Sequence, residues 1–150
     1  DLKRVVDTSI NNVRLSAERE RIRISVEAPT GPALVPADDA RIQQVLDSLL
    51  SNAIKFSGEG ATIHIRLEPD FRAGVMQISV SDTGRGIPAD SLPHIFERFY
   101  QGTTQTRGPI VGSGIGLTLA KMVVEAHGGK IWAESELGKG TTMNVILPLA

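Results

Sequence analysis

The sequence has no cysteine, which excludes a disulfide scaffold and a thiolate metal site. Its three histidines, His64, His94 and His127, stand too far apart to suggest a ligand cluster, so structural zinc is not expected. Net charge is nearly absent as well. Sixteen basic side chains against 17 acidic ones leave −1, too little for a long-range field that would recruit nucleic acid or an anionic membrane surface. No apolar run approaches the roughly 20 residues that span a bilayer. The chain opens at Asp1 rather than in a basic and then apolar signal segment. The expectation is a soluble, cytoplasmic piece without direct membrane contact, whether or not its parent carries a membrane anchor. The initiator Met is missing and a helical pattern begins at once, as expected of a segment of a longer protein.

What is present is a chain of 150 residues, 41% hydrophobic and 22% charged, the size at which one domain buries its apolar surface around a single core. Leu2, Val6, Ile10, Val13 and Ala17 recur at spacings of three and four, which predicts a one-faced helix. From Arg21 to Ala28 the apolar Ile22, Ile24 and Val26 alternate with polar residues, a half-buried strand ending at Pro29-Thr30-Gly31-Pro32. Asp38 or Asp39 suits the N-cap of the next helix. Its apolar face is Ile42, Val45, Leu46, Leu49, Leu50, Ala53 and Ile54, and its end lies near Ser57-Gly58. Ala61 to Glu68 and Gly74 to Ser81 alternate around a turn at Pro69-Asp70, so antiparallel pairing is predicted. A last helix is expected from about Ser113 to Ala126, closed by Gly128-Gly129. Strands at Lys130 to Glu134 and Thr141 to Leu147 then flank Gly138-Lys139-Gly140. Between Gly102 and Gly112 only Ile110 and Val111 are apolar anchors, and that stretch is expected to be mobile.

Three segments carry chemistry, each ambiguous alone. Asn52 and Lys55 share one helical face, with Ser48 one turn earlier. An amide oxygen suits Mg²⁺, and an ammonium neutralises phosphate; an ordinary solvated helix face is the alternative. The strand Gln77 to Ser81 delivers Asp82 into Thr83-Gly84-Arg85-Gly86-Ile87, where the glycines allow a sharp bend and close approach to a flat ligand. A carboxylate there can accept from an exocyclic amine, or simply organise a turn. Gly112-Ser113-Gly114-Ile115-Gly116 opens the last helix with unblocked N–H groups, either an anion site or a hinge with Ser113 as N-cap. No Gly-Lys-Ser/Thr follows, so this is not a Walker A loop. Asn52, Asp82 and Gly114 follow one another at separations of 30 and 32 residues, a combination far more specific than its parts.

In that combination the chain resembles the histidine kinase branch of the GHKL ATPase superfamily, the HATPase_c type of domain, over essentially its whole length. The N box resembles Asp47-Ser48-Leu49-Leu50-Ser51-Asn52-Ala53-Ile54-Lys55-Phe56, and the G1 box Asp82-Thr83-Gly84-Arg85-Gly86-Ile87. The F box resembles Ile95-Phe96-Glu97-Arg98-Phe99-Tyr100, and the G2 box Gly112-Ser113-Gly114-Ile115-Gly116-Leu117. The fold so implied is an α/β two-layer sandwich of the Bergerat ATP-binding type, a mixed, mostly antiparallel sheet covered on one face by helices. ATP would lie between the Asn52 helix and a lid from about Phe96 to Gly112. Residues 1–150 would form a single catalytic ATP-binding domain, with the dimerisation, phosphoacceptor and sensor domains outside the chain. Its implied activity is to bind Mg-ATP and donate the γ-phosphate to a histidine on a separate dimerisation domain of the same protein, with a response regulator downstream in two-component signalling.

Carried over by position, the resemblance implies that Asp82 binds the adenine amino group, Asn52 holds Mg²⁺ through the nucleotide and Lys55 meets a phosphate. Tyr100 would line the nucleoside pocket. Gly84, Gly86, Gly112, Gly114 and Gly116 would shape the adenine and phosphate loops, with Ile87, Ser113, Ile115 and Leu117 as further nucleotide-binding positions. Two departures stand out. Ser48 replaces a second Asn of the family, which is expected to reduce metal or nucleotide affinity. As a poor general base, Ser48 also argues against hydrolysis by water. Gln101 stands where many relatives have Arg, with Arg98 or Arg107 as possible substitutes. Phe96, Phe99 and Trp132 read as structural, and none of the three histidines matches the family's phosphoacceptor motif. Two other readings stay open: a degenerate nucleotide-binding scaffold, or a serine kinase of the anti-sigma-factor type.

Overall fold

The structure, a computed structural model, describes residues 1–97 and 116–150. Helix α1 spans Leu2–Arg19, started by the Asp1 carboxylate, which accepts from the Lys3 N–H at 3.0 Å. Its apolar stripe of Leu2, Val6, Val13 and Ala17 is buried. At its end Arg21 takes a positive φ of 54° and turns the chain into strand β1, Arg23–Glu27.

Helix α2, Asp39–Phe56, is capped by Asp38, whose side chain accepts from the Arg41 N–H at 3.1 Å. Ile42, Val45, Leu46, Leu49, Leu50 and Ala53 are buried, the face expected from their three-and-four spacing. Each of these leucines, fully removed from water, contributes about 1.5–3 kcal/mol of transfer free energy. Strands β2 (Thr62–Asp70) and β3 (Val75–Asp82) form an antiparallel pair. Helix α3 is Gly116–Ala126, and strands β4 (Lys130–Glu136) and β5 (Gly140–Pro148) make the last hairpin.

The five described strands form one sheet in the order β1-β2-β3-β5-β4, with β1 parallel to β2 and every other pairing antiparallel. Period-two alternation sends Ile63, Ile65, Leu67, Met76, Ile78, Val80, Met143, Val145 and Leu147 toward one side, where they join α1, α2 and α3 in a single core. The opposite face is polar at its centre: Ser79 Oγ donates to Asn144 Oδ1 at 3.0 Å, and the Ser81 and Thr142 hydroxyls are 2.9 Å apart. The mixed two-layer sandwich is thus the observed fold.

Three local expectations need correction. Val26 is 43% exposed and only Ile24 in β1 is partly covered, because β1 is an edge strand at the margin of the helical layer. Pro69 and Asp70 are not the turn but the end of β2, paired with Met76 and Val75. The turn lies one step later, where Asp70 Oδ1 accepts from the N–H groups of Arg72 and Ala73. Proline is tolerated there because β1 pairs with β2 only as far as Arg66. Trp132 is not a core residue: it sits half-buried on the polar face of the sheet opposite Asn144, its indole N–H donating to Glu134 at 3.4 Å.

Candidate functional site

The C-terminal half of α2 and the loop after β3 meet at one place. The Phe56 carbonyl, at the last residue of α2, accepts from the Arg85 N–H at 3.4 Å, and Gly84 packs so closely on that carbonyl that a side chain would collide with it. On the other side the loop is fastened to the β4–β5 hairpin. The Gly138 N–H donates to the Arg85 carbonyl at 2.6 Å, and the Ile87 N–H donates to Ser135 Oγ at 2.7 Å. Gly86, with φ of 77°, lies directly against the Glu136 carbonyl, and Gly140, with φ of 119°, against the Asp82 carbonyl. Both glycines are needed for two reasons at once, left-handed backbone and contact with a neighbouring strand.

Asp82 ends β3 opposite Thr141 of β5. Its Oδ1 accepts from the Gly84 N–H at 2.9 Å. Burial pushes the carboxyl above its ordinary pKa, opposed by the backbone N–H donors of Gly84 and Thr141. A carboxylate offers about four lone-pair sites, so capacity remains for a further donor. Thr83 turns away to accept from the Thr62 N–H at 3.2 Å, which pins the loop to the start of β2.

Asn52 and Lys55 stand on α2 as the sequence implied. Asn52 is half-buried, and among the described residues no hydrogen bond engages its amide. Between Lys55 and the loop is a cavity of about 390 Å³ lined by Lys55, Phe56, Gly58, Thr83, Gly84 and Arg85. The Phe56 ring carries two cations, Arg85 at 4.9 Å and Lys55 at 5.4 Å from its centroid. Burial, and then the nearby Arg85 charge, push the Lys55 ammonium below its ordinary pKa. Arg85→Gln removes the second cause, so the Lys55 pKa should rise on titration by lysine-selective NMR; an unchanged value would show that the two cations do not sense one another.

One turn before Asn52 on α2, Gly116 lies against Ser48: a methyl group at Gly116 would sit 3.5 Å from Ser48 Oγ. The structure thus sets Lys55 and Gly84 on one cavity, with Asp82 and Gly86 in the same loop, and sets Gly116 on Ser48, one turn before Asn52 on α2; Ile87 and Leu117 are half-buried. Phe96 packs on the core, and its carbonyl accepts from Thr118 Oγ1 at 2.9 Å. Tyr100, Gly112, Ser113, Gly114 and Ile115 lie outside the described residues, as do Arg98, Phe99, Gln101, Arg107 and the Gly102–Gly112 stretch. His64 is on the open sheet face with Ser25 (2.7 Å) and Glu27 (3.3 Å), and His94 pairs with Glu97 at 2.8 Å; neither lines the cavity. Thr141, Phe56, Arg85 and Ser135 were not singled out from sequence. Phe56 and Arg85 lay within the N and G1 boxes without roles of their own, whereas Thr141 stands beside Asp82 through the β3–β5 register, which joins distant segments.

Comparison with known proteins agrees with this geometry. A family model described as "Histidine kinase-, DNA gyrase B-, and HSP90-like ATPase" matches residues 37–150. Sensor histidine kinase WalK of Bacillus subtilis (strain 168) is 41% identical over 120 residues, 80% of this chain and 20% of its own. Adaptive-response sensory kinase SasA of Thermosynechococcus vestitus is 36% identical over 149 residues, 99% of this chain and 38% of its own. The chain thus spans 20% and 38% of the length of these two relatives. The structure of the mycobacterial sensor histidine kinase MprB superposes with a TM-score of 0.85 at 31% identity, covering 99% of this chain and 95% of that one. Full-length ShkA in complex with AMPPNP gives a TM-score of 0.86 at 27% identity over 100% of this chain and 30% of that one. Among the described residues no helix is long and apolar enough to cross a membrane. The chain belongs to the histidine kinase-, DNA gyrase B- and HSP90-like ATPase family and, within it, is a catalytic ATP-binding domain of the sensor histidine kinase kind.

Proposed function

We propose that this domain binds Mg-ATP and presents the γ-phosphate to a histidine on a separate dimerisation domain of its parent protein, which then serves a response regulator. The observation that carries this reading is the meeting of two unlike chemistries in one place: the Asn52–Lys55 face of α2, and the Asp82–Gly84 loop that closes on the end of that helix. The half-buried Asp82 carboxylate accepts the adenine amino group, and the glycine loop admits the flat base. Lys55 neutralises a phosphate, and Tyr100, Gly112, Ser113, Gly114 and Ile115 complete the nucleoside and phosphate contacts with Gly116 and Leu117. The complex of ShkA with AMPPNP supports an adenine nucleotide as the ligand class.

The fit to magnesium is partial. Among the described residues no cluster of three acidic or histidine side chains could hold a metal alone, and Asn52 offers one neutral oxygen. That suits Mg²⁺ arriving with the nucleotide, where it neutralises phosphate charge. In the transfer, a ring nitrogen of the acceptor histidine forms a bond to the γ-phosphorus. The attacking nitrogen is the unprotonated one; the bond to the β–γ bridging oxygen breaks, ADP departs and the proton on the other ring nitrogen passes to solvent. Ser48 is a poor general base toward water at its position in the N box, which favours transfer over hydrolysis.

The test adds a purified histidine-bearing dimerisation domain and ATP labelled at the γ-phosphate. An acid-labile phosphoprotein supports the proposal. An acid-stable product would make the domain a serine kinase, and no product despite nucleotide binding would make it a scaffold.

A further inference from the structure

His127 follows α3 and is held from both sides. The helix ends in a Schellman turn: the Gly129 N–H donates to the Val124 carbonyl and the Gly128 N–H to the Glu125 carbonyl, each at 2.9 Å, with Gly128 at φ of 77°. This makes His127 the C-cap and fixes its ring over the last turn. Nδ1 lies 2.7 Å from the Val123 carbonyl, which can only accept, so Nδ1 carries the proton. Nε2 lies 3.1 Å from the Asp38 backbone N–H, which can only donate, so Nε2 is bare. The imidazole is thus a bridge from the end of α3 to the N-cap of α2, 89 residues apart in sequence.

The geometry at the other end of α3 gives this bridge a consequence. Gly116, which opens α3, lies on Ser48 of α2, and His127 meets Asp38. From 116 to 127 is 11 residues, and from 38 to 48 is 10, so the helices run antiparallel in step, each advancing about 1.5 Å per residue. The contact at His127 therefore fixes how far α3 reaches along α2. Between the ends Ala120 and Val124 are buried, and Leu117 and Val123 pack against the same core.

We propose that His127 is a positioning residue: through Asp38 it sets the axial register of α3 on α2, and so where Gly116 meets Ser48, one turn before Asn52. The inference rests on the nucleotide reading of that site. It predicts that the register matters for the phosphate end of the ligand and not for the base, which Asp82 holds from a different element.

Two substitutions separate the bridge from simple packing. In His127→Gln the side-chain oxygen takes the place of Nε2 and still accepts from Asp38. In His127→Asn the amide replaces Nδ1 and reaches Val123 only. Both are titrated calorimetrically with a non-hydrolysable ATP analogue and with AMP, beside thermal melts and amide NMR spectra. His127→Asn should weaken the ATP analogue about fivefold to tenfold, the worth of one hydrogen bond, leave AMP within about twofold, and shift the Ser48 and Asn52 amides. His127→Gln should bind the analogue within about twofold of the parent. Equal behaviour of the two variants, or equal loss of AMP and ATP analogue, would overturn the proposal, as would a long-range ¹H–¹⁵N spectrum showing Nε2 protonated in the parent domain. Failure of the parent to bind either nucleotide would count against the nucleotide reading, while the Ser48 and Asn52 shifts judge the positioning role without ligand.

Discussion

Asp82→Asn should abolish measurable nucleotide binding while leaving the domain folded. Asn matches the carboxylate in size and keeps one oxygen to accept from the Gly84 N–H. Its other terminal group becomes a donor, set against the donor of an adenine amino group. Losing a charge-assisted hydrogen bond and burying an unmatched donor together cost about 2–4 kcal/mol, or about two orders of magnitude in affinity. A displacement titration with a fluorescent ATP analogue measures it. Retained affinity within about threefold would remove Asp82 from the binding site. Stability should move the other way. Burial raises the Asp82 pKa above its ordinary 3.8, so the folded state holds that proton more tightly than the unfolded state. Stability from this group is therefore greatest below 3.8 and falls as pH rises through the raised value. Asn cannot ionise, so the variant should melt no lower than the parent at neutral pH, and melts across pH check the sign.

Gly86→Ala should disrupt both fold and site. The residue needs a φ of 77° and lies against the Glu136 carbonyl, so an added methyl group forces the β4–β5 hairpin away from the loop. The left-handed backbone costs about 1–2 kcal/mol, and displacing the hairpin also endangers the bonds from Gly138 to Arg85 and from Ile87 to Ser135. A total of about 3 kcal/mol corresponds to a melting temperature lower by about 6–12 °C for a domain of this size. Binding should fall with it, because Asp82 is carried by the same loop. Gly31→Ala is the control: no heavy atom lies within 4 Å of its added carbon, and it should melt like the parent. Equal melting of the two variants would contradict the role given to the hairpin.

The parts of this site that were legible in the sequence are those encoded within a few residues. Ile42 to Ala53 mark α2 by helical spacing, and the same spacing places Asn52 and Lys55 together on it. Alternation from Met76 to Val80 places Asp82 at a strand end. What escaped depends on residues distant in the chain. Thr141 became part of the Asp82 environment through a strand register between β3 and β5. Arg85 and Phe56 form their stack only because the loop closes on the end of α2. The exposure of Val26 and the position of Trp132 have the same origin: alternation tells which residues share a face, whereas coverage of that face depends on where the helices stop. His127 stands beside Gly128 in the sequence, and its bond to Asp38 joins elements that only the α2–α3 packing brings together.

Calorimetric titration of this domain with a non-hydrolysable ATP analogue, in the presence and absence of Mg²⁺, tests the central claim most directly. The account predicts one site per chain, tighter with Mg²⁺, and lost in Asp82→Asn. No heat of binding from the folded parent domain under either condition would contradict it and leave the chain a scaffold of this fold.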